Sequence, residues 1–359
     1  MNTVLFITNI PSPYRVKFFE ELGKHCNLTV VFERRVSSER DESWKNETFT
    51  NFNAVFCDGR NVGADHAFSL KPIRAIKEIK PDILILTNNM SLGGIIEVAY
   101  CKIKRIPFSI EGDGAFVPDR ESFIKRMIKT FSIKGADKYY STCANHDKYY
   151  LNYGAKKDNL VRYPFSSISK NYIKDYSFEE KKEYRNELGI KEKNVIVTVG
   201  QFIYRKGFDV LSKAMSLVDG DVGVYILGGN ELPFEVHDER IHAVGFKLPK
   251  ERDKYFASAD LFVLPTREDI WGLVINEAMA CGLPVVTTDK CNAGLEMVEE
   301  GRSGYIVPSE DIKELAERIN GFFALSEQEK AEMTRHSFET AGRWTIENMV
   351  TSHVENFRI

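Results

Sequence analysis

The chain has 359 residues, of which 43% are hydrophobic and 28% charged, and its formal net charge is −3. That is enough for two globular cores, and it excludes a disordered, collagen-like or low-complexity chain. No run approaches the length of an uncharged membrane span, and the six cysteines are scattered with no CxxC pair. A transmembrane helix, a zinc site and a disulfide framework are therefore not expected, whereas reduced thiols are.

Residues 1–9 lack a basic segment followed by a long apolar one, so they read as a strand rather than a signal peptide. Charge is uneven: residues 1–170 hold 26 Lys and Arg against 19 Asp and Glu, and residues 171–359 hold 23 against 33. A basic first half suits an anionic partner, such as a phospholipid surface or a pyrophosphate-linked acceptor, although a lopsided solvated surface gives the same count. No basic stripe interleaved with aromatics is present, so a nucleic-acid partner is not expected.

In chain order, apolar runs at 4–8, 28–32, 53–57 and 82–87 alternate with amphipathic stretches at 14–24, 93–104 and 122–134. The run at 82–87 is almost continuous, the mark of a strand buried on both faces. Strands at 138–141 and 160–163 close this half. The pattern breaks over 163–175 and then restarts. Strands are predicted at 194–199, 222–227, 241–244, 261–264, 284–288 and 305–307. Helices are predicted at 207–217, 250–257, 272–280, 312–323 and from 326 onward. Such alternation builds parallel sheets with crossover helices, here an α/β chain of two doubly wound domains. Ligands of these sheets sit at the carboxyl ends of strands, so the cleft between the domains is the expected site.

Two stretches carry chemistry. In the first, a strand ends at Pro265, a loop carries Glu268 and Asp269, and a helix opens at Gly272 and stops at Gly282-Leu283-Pro284. Free N–H groups at that helix start can hold phosphate, and glycine lets backbone approach closely. Asp269 and Glu277 can accept from sugar hydroxyls at two ends of one extended ligand; alternatively, Asp269 caps the helix and Glu277 is solvated. In the second stretch, Gly200 follows the first strand of the second half, and Arg205-Lys206 precede Gly207. Adjacent cations there suit a diphosphate, or are plain surface cations. The G-x-G-x-x-G fingerprint is missing after both first strands, which argues against a dehydrogenase.

The order Gly200-x4-Arg205-Lys206-Gly207-x-Asp209-x-Leu211, then Ala259 to Pro265, then Asp269-x7-Glu277-Ala-Met-Ala-Cys-Gly-Leu-Pro-Val-Val, resembles the retaining glycosyltransferases of the GT-B fold, family GT4. Residues 304–308 and the opening 7–15 extend the resemblance, which covers nearly the whole chain and is strongest over 195–325. It implies two Rossmann-like doubly wound domains facing a cleft, with the C-terminal helix crossing back to the first. Residues 1–167 with 344–359 would bind the acceptor, and 168–343 the donor. Glu277 would hold the ribose and Asp269 the transferred sugar, a place where members usually carry Glu. Arg205 and Lys206 would neutralise the diphosphate, with Gln201 where many members have a further Arg. Gly200 and the amides of Gly272 and Leu273 would complete the phosphate site, and Gly245-Phe246-Lys247 would hold the base.

On the acceptor side, Pro13, Tyr14 and Arg15 replace a common Gly-Gly loop. The family's N-domain His is missing from 110–114; Glu111 or Asp113 serves there, or both cap the following turn. His146 and the other histidines read as structural. Arg120, Lys125, Arg126 and Lys129 cluster around one helix, as a membrane-facing patch or a solvated face. The resemblance implies metal-independent, cofactor-free transfer from a UDP- or GDP-sugar to a glycan or polyprenyl-pyrophosphate-linked acceptor in cell-surface polysaccharide synthesis. It also implies a cytoplasmic protein, peripheral at the inner face of the membrane. Two rivals share the fold. A sugar-nucleotide 2-epimerase is disfavoured by the scarcity of cleft histidines, and a non-catalytic partner subunit by the retained cations and acids.

Overall fold

A computed structural model describes residues 1–35, 49–57, 60–61, 67–229, 232, 234 and 238–357. The chain divides into two compact units, Met1–Ser167 with Thr345–Ile359, and Ile168–Trp344. The first unit contains β1 (Thr3–Thr8), α1 (Pro13–Leu22), β2 (Asn27–Phe32), β3 (Asn53–Phe56), β4 (Arg60–Asn61), β5 (Ala67–Phe68), α2 (Lys71–Ile79), β6 (Ile83–Leu86), α3 (Leu92–Lys104), β7 (Ser109–Glu111), α4 (Phe123–Ile133), β8 (Tyr139–Ser141), α5 (Ala144–Asn152) and β9 (Leu160–Arg162). The second contains α6 (Phe178–Leu188), β10 (Asn194–Val199), α7 (Phe208–Met215), β11 (Val222–Leu227), β12 (Ile241–Gly245), α8 (Pro249–Ser258), β13 (Leu261–Leu264), α9 (Leu273–Ala280), β14 (Val285–Thr288), α10 (Asn292–Met297), β15 (Gly304–Val307), α11 (Ile312–Ala324) and α12 (Glu327–Arg343). The last helix, α13 (Ile346–Glu355), belongs to the first unit.

The main sheet of the first unit runs β3-β2-β1-β6-β7-β8-β9 and that of the second β12-β11-β10-β13-β14-β15, with every strand pair parallel. Helices cover both faces of such sheets, which is why their strands read as unbroken apolar runs. In the first unit Leu5, Ile7, Val31, Leu84 and Leu86 form the core with Val98 of α3. In the second, Ile196, Val224, Leu261 and Val263 pack against Leu211 of α7 and Leu315 of α11. Strand order reverses between β1 and β6, and between β10 and β13. Connections leaving the carboxyl ends diverge at such points and open a crevice within each sheet's own edge.

Local signals explain the helices. Pro13 occupies the first turn of α1, where a missing N–H costs nothing. Ser326 and Glu329 form a capping box at α12. The predicted helix from 326 onward is broken at Trp344, and Thr345 then caps α13 by accepting from the Asn348 N–H. Trp344 stays in the second unit, not in the first as the sequence reading had it, and its ring packs 5.1 Å from that of Trp271. Three helices, α2, α6 and α10, were not predicted. Two of them carried readable signals: Pro72 in the first turn of α2, and the Ser177–Glu180 capping box of α6.

Candidate active site

In the second unit, the connections after β10 and β13 meet at the point where the strand order reverses. Lys206 closes a short 3-10 turn, Tyr204–Lys206, and Gly207 follows with φ +68°. A Cβ on Gly207 would lie 2.0 Å from the Pro265 carbonyl oxygen, so only glycine lets the two connections touch. The Arg205 carbonyl accepts from the Arg267 N–H at 2.8 Å and from the Thr266 hydroxyl at 2.9 Å. Both loops are thereby fixed, and side chains 63 residues apart pair: Lys206 Nζ lies 2.5 Å from Asp269 Oδ2. Arg205 donates to the Glu268 carbonyl at 2.7 Å, and its guanidinium stands 3.7 Å from Asp269 Oδ1. Lys206 and Asp269 are nearly buried, Arg205 is half-buried, and Glu268 is exposed.

Asp269 is also fixed through its backbone. Its N–H donates to the Lys290 carbonyl at 2.8 Å, and it bridges to Cys291 in parallel register. Gly272 starts α9 at φ +105°, where an added Cβ would lie 2.7 Å from Cys291 Sγ. No side chain caps α9, and the Ile275 N–H already bonds the Gly272 carbonyl at 2.9 Å, so the N–H groups of Leu273 and Val274 are the ones placed to serve an anion. Glu277, a turn further along α9, pairs with Arg252 of α8 at 3.0 Å. Gly200 donates to the Leu227 carbonyl at 2.9 Å, so it lies beside the same edge. Phe246 is exposed and Lys247 half-buried in the connection after β12.

Sequence reasoning missed two supporting arginines. Arg252 aims Glu277. Arg267 grips Asp209 with both nitrogens, at 2.7 and 2.8 Å, pairs with Glu310, and lies 3.8 Å over the Tyr204 ring. The acid at Asp209 was visible in the Arg-Lys-Gly-x-Asp spacing, but its partner depended on which strands are neighbours.

The first unit corrects two expectations. Arg15, expected on the acceptor side, is buried, with its guanidinium between Glu111 and Asp113. Glu111, a candidate catalytic acid, is 0% exposed and also accepts from His353 Nε2 of α13 at 3.0 Å. Burial alone would raise its carboxyl; Arg15 and His353 outweigh that and hold it down at about 2. Glu111 therefore ties α13 to the sheet and is closed to substrate. Asp113 differs: its side chain keeps 30% exposure while Arg15 and the Tyr14 hydroxyl, at 2.8 Å, orient it. Pro13 is half-buried at the start of α1. His146 is buried against Gly112 and the Tyr150 ring, 4.2 Å away, and burial pushes it down to about 3.

These groups set an acid profile. His146 and Glu111 have folded values below their ordinary 6.5 and 4.5, so each stabilises fully above the ordinary value and loses that effect as pH falls to about 3 and about 2. Glu97 of α3 works in the opposite sense: burial, with Glu33 adding to it, lifts its value from 4.5 to about 8, so its contribution fades as pH rises through that window. Stability of the first unit is expected to rise from pH 8 to 6.5, stay nearly level to 4.5, and drop steeply below. Urea unfolding across this range tests it. His146→Gln should tilt the level stretch, so that stability climbs toward pH 4.5; an unchanged profile would refute the assignment.

Among the described residues, no group of three His, Cys, Asp or Glu is placed to hold a metal ion, and no helix is long and apolar enough to cross a membrane. No disulfide joins the six cysteines, all of which are buried.

Comparison with known proteins agrees with this architecture. Residues 193–324 match the sequence model of the family Glycosyl transferases group 1. Spore coat protein SA of Bacillus subtilis is 28% identical over 201 residues, covering 49% of this chain and 52% of that one. The N,N'-diacetylbacillosaminyl-diphospho-undecaprenol alpha-1,3-N-acetylgalactosaminyltransferase of Campylobacter jejuni is 22% identical over 63% of each chain. The chain thus spans about half the length of the first relative and under two thirds of the second. Anabaena HepE, solved in complex with UDP, shares the fold with a TM-score of 0.79 over 99% of both chains at 16% identity. The chain has the GT-B fold, and the stretch that matches the group 1 glycosyl transferase family lies in its second unit.

Proposed function

We propose that this protein transfers a sugar from a nucleotide diphosphate donor to a glycan or polyprenyl-pyrophosphate-linked acceptor in cell-surface polysaccharide synthesis, with retention at the anomeric carbon. The observation that carries the reading is the Lys206–Asp269 pair, with Arg205 beside it and the uncapped start of α9 following in the same loop. The bond from the anomeric carbon to the diphosphate oxygen breaks, and the acceptor oxygen bonds to that carbon on the same face. The acceptor's proton goes to the departing phosphate oxygen. Charge grows on the diphosphate in this step, and Arg205, Lys206 and the amides of Gly272 and Leu273 stabilise it where it grows. Asp269 positions the transferred sugar. Glu277, already aimed by Arg252, accepts from the ribose hydroxyls. The paired-carboxylate scheme of glycosidases is not needed.

UDP or GDP is the expected donor nucleotide, and UDP is the first to try because the Anabaena neighbour was solved with it. A lipid-linked acceptor is supported by the name of the Campylobacter relative and by the basic first half of the chain. Both favour a place at the inner face of the cell membrane.

Thermal shift with UDP, GDP, ADP, CMP and their common sugars, each with and without EDTA, tests the donor site. A ligand at 100 times its Kd adds about 2.7 kcal/mol of stability. A selective shift with one nucleotide, unchanged by EDTA, is expected; no shift with any of them would overturn the reading.

A further inference from the structure

Helix α4 is turned inside out. Its turn is about 100° per residue, which places Phe123, Ile124, Met127, Ile128 and Phe131 within an arc of about 140°. In a surface helix that arc should face the core. Here Phe123 is 75% exposed, Ile124 69% and Met127 56%. The opposite side packs inward: Ser132 and Ile133 are buried, and Lys129 lies against the Tyr149 and Tyr153 rings while pairing with Glu121 at 2.5 Å. Contiguous apolar exposure on this scale marks a surface that meets something.

The chemistry of the occupant is written beside the arc. A groove of about 490 Å³ runs along α4, with Phe123, Met127 and Phe131 as its apolar wall. Its charged lining is Lys102, Arg126 and Lys134, and among the described residues no carboxylate lines it. Lys102 reaches from α3 to lie 4.4 Å over the Phe131 ring and bonds to the Phe131 carbonyl. Burial and the neighbouring Lys134 both weaken its hold on a proton, as crowding of like charges does. Exposed Lys125 lies beyond Ile128, at the other edge of the apolar arc.

We infer that α4 is a docking helix for an anionic phospholipid bilayer: its apolar arc enters the acyl boundary while Lys102, Arg126 and Lys134 take the headgroup phosphates. Aromatic and aliphatic side chains on one arc with cations at its edge are what an interfacial helix requires, and a helix 11 residues long lies in the interface without spanning it. The inference rests on the proposed function only for the lipid-linked acceptor, which would lie in the same bilayer.

Vesicle flotation of the full chain, with neither donor nor acceptor present, tests it apart from the donor site. Phosphatidylcholine vesicles are compared with vesicles containing phosphatidylglycerol. The chain should float with the anionic vesicles, and less as salt is raised. A Phe123→Ser, Ile124→Ser double variant should lower that binding by about tenfold or more. Both side chains are solvent-exposed, so its circular dichroism, melting temperature and nucleotide shift should match the parent. A Lys125→Glu, Arg126→Glu variant should lose the preference for anionic vesicles. Failure of the parent to float, or full binding by the serine variant, would overturn the inference. So would a concentration-dependent dimer, with no vesicle binding, that the serine variant dissolves.

Discussion

Lys206→Ala is expected to lower kcat for sugar transfer by about 10²–10³-fold, the usual cost of deleting one preorganised donor to developing charge. The ammonium is held at 2.5 Å from Asp269 in a nearly buried place, so it is in position before the donor arrives and little reorganisation is required. Lys206→Arg should recover only part of the loss, since a planar fork does not occupy the space of a point charge. Asp269→Asn separates the two partners' tasks. It frees Lys206 from its carboxylate, so UDP should bind as tightly as before or more so, while transfer falls because the sugar hydroxyls face a neutral amide, one oxygen of which has become a donor, in place of a charged carboxylate. Thermal shift and a transfer assay on the three variants check this together. Stability should change by no more than roughly 1–2 kcal/mol in each, because the site lies in loops at the carboxyl ends of the strands, outside the apolar core. Wild-type transfer by Lys206→Ala would sink the site assignment.

The second large effect is on folding. Arg15→Ala should destabilise the first unit by about 3–5 kcal/mol, because it leaves Glu111 charged and buried without its main partner. For a unit of this size, that lowers the first calorimetric transition by roughly 6–20 °C. Tyr14→Phe removes a hydroxyl that bonds Asp113 and Ser12, leaves no buried charge unpaired, and should cost about 1 kcal/mol. A loss for Arg15→Ala no larger than for Tyr14→Phe would show that the network is not what holds α13 in place.

Much of this was legible beforehand, for physical reasons that differ from element to element. The run at 83–86 had to be a strand buried on both faces because it has no polar alternation. The stop at Gly282-Leu283-Pro284 ended α9 where backbone preference demands. Arg205, Lys206 and Asp269 were visible as candidates because each sits just past a strand. That they touch was not readable, since it follows from β10 and β13 being neighbours. The partnership of Glu111 with His353, 242 positions apart, had no local signature at all, so Glu111 looked like a free acid. For α4, periodicity revealed an apolar arc and the basic residues near it, but periodicity carries no sign and did not say that the arc faces outward.

The place of α13 has a consequence for biosynthesis. The first unit draws part of its core from a helix that follows the second unit in the chain: His353 of α13 packs 4.9 Å from the Phe18 ring, stacks on Tyr140 at 4.6 Å and bonds one side of Glu111. The second unit is encoded in between, as one uninterrupted stretch, Ile168–Trp344. On the ribosome, the first unit is therefore completed only after the second, waiting about 10–40 s at ordinary elongation rates while the whole second unit is made. During that wait Phe18, Tyr140 and a charged Glu111 lack the cover of α13, so chains at this stage are the form most in need of a chaperone, and a chain cut anywhere between Ile168 and Ile346 leaves the first unit without the helix that completes it.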